Sequence, residues 1–263
     1  MFSVLDMFTI GVGPSSSHTV GPMCAAQAFA SSLEESGAVS RVGRIRVVLY
    51  GSLSLTGLGH GTDRAILAGL EGNVPATVDT DYLLSVRERC AHDGTIHVNG
   101  TNAIAYDDDG DMVFDRWKRL APHPNGMRFQ AFDAQGNIID EQVWYSIGGG
   151  FIRRGRIDDA LISNHEQTPA SSQSPEDSGN DEAAEYGDGV PYPFVSCDGL
   201  IDLCRKHHLS IADVVWANET ARRSPQEVRD RLTRIWNVMS HCIDAGCASA
   251  TPTLPGGLDV PVS

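Results

Sequence analysis

Residues 126–145 read GMRFQAFDAQGNIIDEQVWY. Apolar residues recur through 126–133 and again through 138–145, and the tetrapeptide Ala134-Gln135-Gly136-Asn137 separates the two runs. A short segment with glycine and asparagine between two such runs is typical of a β-hairpin. We therefore predict that this stretch forms two antiparallel strands and decides the character of the sheet.

The residues before this hairpin favour helices first and short strands later. Helices are predicted over residues 22–35, 62–70 and 81–90, and strands over 44–49, 95–98 and 102–106. The first helix is alanine-rich, carries Pro22 near its first turn and stops before Gly37, as helices commonly do. Helices followed by an antiparallel meander predict an α+β domain, in which helices accompany an antiparallel sheet.

The composition is that of an acidic globular protein. The chain has 263 residues, of which 41% are hydrophobic, and 20 basic against 34 acidic residues give a net charge of −14. Such a chain can bury a sizeable core, and its charge repels phosphate backbones, so we expect no nucleic-acid partner. No run of about 18 apolar residues predicts a membrane span. The first residues do not resemble a signal peptide, and we expect a cytoplasmic protein.

The six cysteines are irregularly spaced and include no C-x-x-C pair. Thiols of a cytoplasmic chain stay reduced, so we expect no disulfide. The spacing also lacks a zinc pattern, and we predict no metal ligand in this chain.

One break in composition divides the chain. Residues 165–189 contain seven acidic residues and no lysine or arginine, which is typical of a linker or a long surface excursion. We predict a first domain over residues 1–160, an acidic linker over 161–189 and a helical segment over 190–263. Helices are predicted in that segment at 197–207, 211–222 and 225–245, because apolar residues recur there at three- and four-residue spacing.

Two of four glycine-rich segments place polar side chains before a helix. Residues 11–22 read GVGPSSSHTVGP, and a helix N-terminus with its free N–H groups favours a carboxylate ligand. The candidate binding residues are Ser15, Ser16, Ser17, His18 and Thr19. Residues 50–63 read YGSLSLTGLGHGTD, in which His60 could accept a proton. A capping turn and an idle loop histidine remain the alternatives.

The other two segments follow a turn and a strand. Residues 123–127 read HPNGM, so that His123 supplies a titratable group and Asn125 a neutral hydrogen-bonding group. Residues 145–151 read YSIGGGF, in which Ser146 ends a strand before three glycines that allow close backbone approach to a ligand. An ordinary Asn-Gly turn and a flexible strand exit are the alternatives.

A hydrolase built on Ser15–Ser17 and His18 is a weak alternative. It would need an oxyanion hole and an orienting acid, which the sequence does not indicate, and the chain has no G-x-S-x-G elbow, P-loop or dinucleotide fingerprint.

Taken in this order, the segments resemble the N-terminal beta domain of bacterial iron–sulfur-dependent L-serine dehydratases (L-serine ammonia-lyases) of the single-chain type. The resemblance rests on LDMF (5–8), GPSSSHTVGPM (13–23), YGSLSLTGLGHGTD (50–63), NGMRF (125–129) and WYSIGGGFI (144–152). The helices after residue 190 and LPGGL (254–258) resemble the start of the family's alpha domain. The resemblance is weak from about Tyr82 to Asp115. It implies a fold similar to the allosteric substrate-binding domain of phosphoglycerate dehydrogenases.

The resemblance also implies a reaction, a cofactor and partners. L-serine is converted to pyruvate and ammonia, and an iron of a [4Fe–4S] cluster assists the departing hydroxyl as a Lewis acid. The cluster ligands belong to the alpha domain, and none of the six cysteines here falls at a family ligand position. We therefore interpret residues 190–263 as a truncated start of that domain. The chain is then a truncated product, a fragment of a gene model or one half of a split enzyme. The expected partners are an alpha domain or second subunit, and the complete protein is expected to be a homo-oligomer.

The resemblance finally implies roles for single residues. The residues that line the site are His60, Thr62, His123, Asn125 and Ser146, and the substrate-binding residues are Ser15, Ser16, Ser17, His18 and Thr19. His60 is the favoured base, with His123 or Ser146 as the alternative. A non-catalytic serine-binding regulatory module is the competing interpretation of the whole chain.

Overall fold

The computed structural model describes residues 3–164 and 189–250. These residues form two compact units. The larger unit contains residues 10–164, and the smaller unit combines residues 3–9 with residues 189–250. The acidic stretch predicted as a linker lies, over 165–188, outside the described residues.

The helices of the larger unit precede most of its sheet. They are α1 (Gly21–Glu35), α2 (Ser52–Thr56), α3 (Thr62–Leu70), α4 (Thr80–Asp93) and the single turn α5 (Asp108–Asp111). A π-helical turn, Ser16–Val20, leads directly into α1, and 3₁₀ turns lie at Val39–Arg41 and Leu58–His60.

The larger unit has a mixed sheet in which antiparallel pairs dominate. Its strands are β1 (Arg44–Tyr50), β2 (Thr95–Val98), β3 (Asn102–Ala105), β4 (Met112–Asp115), β5 (Lys118–Leu120), β6 (Gly126–Phe132), β7 (Ile138–Gly148), β8 (Phe151–Arg154) and β9 (Leu161–Ser163). Seven of them form a sheet in the order β2-β3-β1-β6-β7-β8, with β4 also paired to β1. β1 runs parallel to β3 and β4 and antiparallel to β6. β5 and β9 form a separate antiparallel pair.

The core of this unit lies between the sheet and α1. β1 alternates half-buried and buried side chains, as expected for a strand covered on one face. The rings of Phe29 on α1 and Phe129 on β6 stack with centroids 5.2 Å apart. Gly69 allows α3 to approach α1 closely, because a Cβ atom at this position would lie 2.4 Å from the Met23 carbonyl oxygen.

The smaller unit is helical. It contains α6 (Cys197–His207), α7 (Ile211–Thr220) and α8 (Pro225–Ala248), together with a 3₁₀ turn at Val4–Asp6. The Val4 amide donates to Oε1 of the buried Glu219 at 2.9 Å, and Arg223 donates to Oε2 of the same carboxylate at 2.7 Å. The N-terminal residues are therefore anchored to α7, a pairing that no local sequence pattern indicates.

The α+β class, the 126–145 hairpin and the helical character of the C-terminal segment are confirmed. The similarity to the phosphoglycerate dehydrogenase domain stays a prediction. Among residues 3–164 and 189–250, no helix has both the length and the apolarity needed to cross a bilayer.

Gly69→Ala tests the contact between α1 and α3. The new methyl group meets backbone atoms of α1 that cannot move alone, so we expect the free energy of unfolding to fall by ~1–3 kcal/mol. Gly246→Ala in α8 is the control, because a Cβ atom there meets nothing within 4 Å. Replacing a helical glycine by alanine should leave the stability unchanged or raise it. Urea unfolding of both variants checks the contrast, and an undiminished stability of Gly69→Ala would contradict the packing.

Candidate active site

The serine-rich segment forms the π-helical turn Ser16–Val20, which continues into α1 and so makes the N-terminal end of this continuous helix. Ser15 is the N-cap of the π-helical turn, and its Oγ accepts a hydrogen bond from the His18 amide at 3.1 Å. The Ser15 amide in turn donates to Oγ1 of Thr19 at 3.3 Å. The structure thus places the predicted binding residues on one turn at a helix N-terminus, where N–H groups and the helix dipole favour an anion.

Both ring nitrogens of His18 have hydroxyl partners. Oγ of Ser17 lies 2.9 Å from Nδ1, and Oγ of Ser52 lies 3.0 Å from Nε2. Burial lowers the pKa of His18, and the nearby His60 lowers it further, against a hydrogen bond at Ser52 that raises it. The ring is therefore held in place as a neutral imidazole near neutral pH.

His60 lies beside His18 and exposes one ring nitrogen as an acceptor. The two ring centroids are 4.9 Å apart with an interplanar angle of 42°. Nδ1 of His60 lies 2.8 Å from the Thr56 carbonyl oxygen, which can only accept, so Nδ1 carries the proton and donates. Nε2 of the neutral ring then carries the lone pair that a general base requires.

Two buried threonines connect these histidines through the backbone. Oγ1 of Thr19 donates to the His60 carbonyl at 2.8 Å, and Oγ1 of Thr62 donates to the His18 carbonyl at 2.5 Å. Both side chains are buried. Their hydroxyls therefore hold the two loops against each other.

The last two predicted segments meet the same turn. Oγ of the fully buried Ser146 donates to the Ser17 carbonyl at 2.7 Å. Nδ2 of Asn125 donates to the Ser146 carbonyl at 3.2 Å, and the Asn125 amide donates to Nδ1 of His123 at 3.1 Å. Burial lowers the pKa of His123, and the positive charge of Arg153 lowers it further. A series of hydrogen bonds thus joins His123 to His18.

The structure brings the predicted site residues together, and Ser16 lies exposed on the same turn. Ser52 also belongs to this group, and no sequence motif had indicated it. Ser52 follows Gly51, whose φ of +57° favours glycine, and a Cβ on Gly51 would lie 2.2 Å from the Pro124 carbonyl oxygen. The Ser52 amide donates to that carbonyl at 2.9 Å. The sequence signal that could have indicated Ser52 is Gly51, a glycine that the backbone requires between the end of β1 and this serine.

The three consecutive glycines form the turn between β7 and β8. Gly148, Gly149 and Gly150 have φ values of +99°, +61° and +83°, so the turn itself requires glycine. Several exposed apolar side chains lie in the same segments as the site residues. They are Leu55, Leu58, Ile147 and Phe151.

The described cysteines do not form a ligand set for an iron–sulfur cluster. All six are free, and in the described part of the chain no three His, Cys, Asp or Glu side chains converge as metal ligands. Cluster ligands are thiolates, whereas burial raises the pKa of the Cys90 thiol to about 11 and also raises that of Cys24. The donor groups described here therefore do not fit the cluster that the resemblance implies.

Fold and site together define an α+β domain that presents hydroxyls, amides and paired histidines at a helix start. The model of the family "Serine dehydratase beta chain" matches residues 3–156. The chain belongs to this family.

Full-length relatives show similarity beyond that match. The chain is 41% identical to an L-serine dehydratase of Streptomyces coelicolor over 258 residues, which cover 98% of this chain and 52% of the relative. It is 38% identical to L-serine dehydratase 1 of Escherichia coli over 99% of this chain and 52% of the relative. An L-serine dehydratase of Mycobacterium bovis is 38% identical over 98% of this chain and 51% of the relative. The chain thus spans about half the length of these curated relatives.

The lowered pKa of His18 predicts a pH dependence of stability. Below about pH 6.5, the ordinary pKa of histidine, the unfolded chain binds a proton that folded His18 does not, so stability falls as the pH falls. His18→Gln should make this slope shallower between about pH 7 and about pH 5.5, and His123→Gln should do the same for the same reason. Urea unfolding at several pH values measures the slope, and an unchanged slope in both variants would contradict the prediction.

Proposed function

We propose that this chain supplies the substrate-binding and proton-removing half of an L-serine dehydratase site. One observation carries the proposal: His60 donates from Nδ1 to the Thr56 carbonyl and so presents Nε2 as an acceptor beside a hydroxyl-rich helix start. His60 is proposed to take the α-proton of L-serine. Loss of the hydroxyl as water leaves aminoacrylate, which hydrolyses to pyruvate and ammonia.

The start of α1 is the proposed site for the serine carboxylate. Its dipole and amide groups favour an anion, and the hydroxyls of Ser15 and Ser17, 3.4 Å apart, can donate to carboxylate oxygens. Ser16 on the same turn is exposed and joins this proposed set. A carboxylate fixed here would hold the α-carbon for proton transfer, which is a matter of position as much as of basicity.

The other site residues are proposed to set this geometry. The pKa of His18 is lowered and its ring is bonded at both nitrogens, so it adds no positive charge beside His60. Ser146 and Thr62 use their hydroxyls on backbone carbonyls, and Asn125 orders the strand end that carries Ser146. His123 is the alternative base, but its Nδ1 accepts from an amide, which leaves the proton of the neutral ring on Nε2.

The departing hydroxyl also requires an electrophile, which the family resemblance attributes to a [4Fe–4S] cluster. Because the described donor groups do not fit such a cluster, its ligands are proposed to lie outside the described residues. An alpha domain or second subunit, corresponding to the other half of the relatives, is the proposed partner. The exposed Leu55, Leu58, Ile147 and Phe151 would then be covered by it.

A chimaera tests the proposed activity. The chain is joined to the half of the Streptomyces coelicolor L-serine dehydratase that it does not match, and pyruvate formation from L-serine is measured anaerobically. We expect turnover, and we expect His60→Gln to lower kcat by about 10²- to 10⁴-fold, the usual contribution of a general base. His92→Gln is the matched control, because that side chain is 88% exposed and lies on α4 outside the site.

Two outcomes would contradict the proposal. Full activity of the His60→Gln chimaera would remove His60 as the base and direct attention to His123. Binding of L-serine without pyruvate formation in the unmodified chimaera would favour the regulatory module instead.

We expect the isolated chain to self-associate through an exposed apolar stripe on the smaller unit. Leu232, Trp236, Met239 and Ile243 form an exposed apolar stripe along α8, with Trp236 62% and Ile243 58% exposed. Replacing Trp236 and Ile243 by serine should abolish the self-association that light scattering detects. The control replaces Arg234 and His241 by serine and should leave the self-association unchanged. These two residues lie roughly 160° around the helix from Trp236 and Ile243. A clean monomer of the unmodified chain would contradict this prediction.

A further inference from the structure

Helix α3 is fixed to α4 by two ion pairs, one at each end of α3. At its first turn Asp63 pairs with Arg87, and just after its last residue Glu71 pairs with Arg89. The two pairs are closely matched in burial: the carboxylates are 4% and 6% exposed and the arginines 31% and 33%. A carboxylate this deeply buried is destabilising unless it is paired, so each pair constrains its own end of the helix.

The Asp63 pair lies next to the proposed site. Asp63 follows Thr62, whose hydroxyl donates to the His18 carbonyl. His60 lies three residues before Asp63, and Gly61 between them has the left-handed conformation that ends the preceding turn and caps α3. Any displacement of the first turn of α3 is therefore transmitted to both His18 and His60.

Arg87 holds this turn through a two-sided contact. Its Nη1 donates to Oδ2 of Asp63, while its Nη2 donates to Oδ2 of Asp108 at 2.8 Å. The Tyr106 hydroxyl fixes Oδ1 of Asp108 at 2.7 Å. A planar guanidinium can serve two carboxylates at once, whereas a lysine ammonium is a single point of charge.

Asp63 depends strongly on this partner. Its Oδ1 is buried and has no hydrogen-bond partner among the described residues. Arg87 therefore provides the charge compensation of a carboxylate that has little other support.

We infer that Asp63 and Arg87 are positioning residues for the His18–His60 pair. The inference rests on the proposed function, since it names the contacts that set the proposed base. Glu71 and Arg89 serve as the internal comparison: they too are an arginine–carboxylate pair, at the far end of α3, and Glu71 additionally accepts from the Tyr82 hydroxyl. Glu71 also has its own nearby histidine, because Oε1 accepts from the His97 amide at 2.9 Å and lies 3.6 Å from the His97 ring.

The test compares Arg87→Lys with Arg89→Lys in the full chain. Ring ¹⁵N resonances of His60 and His97, assigned with the His60→Gln and His97→Gln variants, report the tautomer and surroundings of each ring. We expect Arg87→Lys to replace the Nδ1–H signature of His60 by a mixture of tautomers and to leave His97 unchanged. Arg89→Lys should shift the His97 resonances and leave His60 unchanged.

A second variant covers the case in which Arg87→Lys does not fold. The double change Asp63→Asn and Arg87→Leu removes both charges of the buried pair and leaves the partly exposed Asp108 with the Tyr106 hydroxyl as its donor. It still removes the link to α4, so the His60 signature should still be lost. Retention of that signature in either folded variant would overturn the inference. So would an equal change of His60 in Arg89→Lys, because it would show general loosening of α3.

This readout needs neither substrate nor turnover. A failed chimaera assay with the expected His60 change would reject the proposed function and keep the positioning role. An active chimaera, together with an unchanged His60 signature in the Arg87 variants, would keep the proposed function and reject the positioning role.

Discussion

The arrangement of the site depends on a proline that removes a hydrogen-bond donor. Pro22 lies where an N–H group would serve the carbonyl of His18 in α-helical pairing or that of Ser17 in π-helical pairing. Neither carbonyl can use it, and a buried carbonyl without a donor is costly. Ser146 and Thr62 supply the missing donors through their hydroxyls, at 2.7 Å and 2.5 Å. The missing backbone donor at the helix start is thus replaced by two side-chain hydrogen bonds from distant parts of the chain.

These contacts explain why several separate segments are needed for one site. Ser146 belongs to β7 and Thr62 to α3, so the sheet and the second long helix are both tied to the turn that carries His18. Gly21 makes the approach of β7 possible, because a Cβ atom there would lie 2.0 Å from Oγ of Ser146. Gly51 does the same for the loop that carries His123 and Asn125.

Local patterns predicted the regular elements well and the pairings between them poorly. The predicted bounds of α3, β2 and α6 are those observed, because apolar spacing and capping residues define such segments within a few residues. The short strands β4, β5, β8 and β9 and the parallel pairs of β1 were not predicted, since they depend on contacts between distant residues. The motif residues selected from the sequence lie together in the larger unit, and their roles stay predictions. Ser52 was missed because its role appears only when α1 and the end of β1 come together.

The residues gathered at the candidate site include no carboxylate, although the chain is acidic. The chain carries a net charge of −14, and the carboxylate of the proposed substrate would be repelled by any carboxylate left unpaired nearby. The residues gathered at the start of α1 are serines, threonines, histidines and an asparagine. The carboxylate closest to them in sequence, Asp63, is paired with Arg87. The pair that we infer to fix the histidines therefore also neutralises a negative charge near the proposed carboxylate site. Position and charge are set by the same contact, so loss of Arg87 would disturb the geometry of the proposed base and the binding of the proposed substrate together.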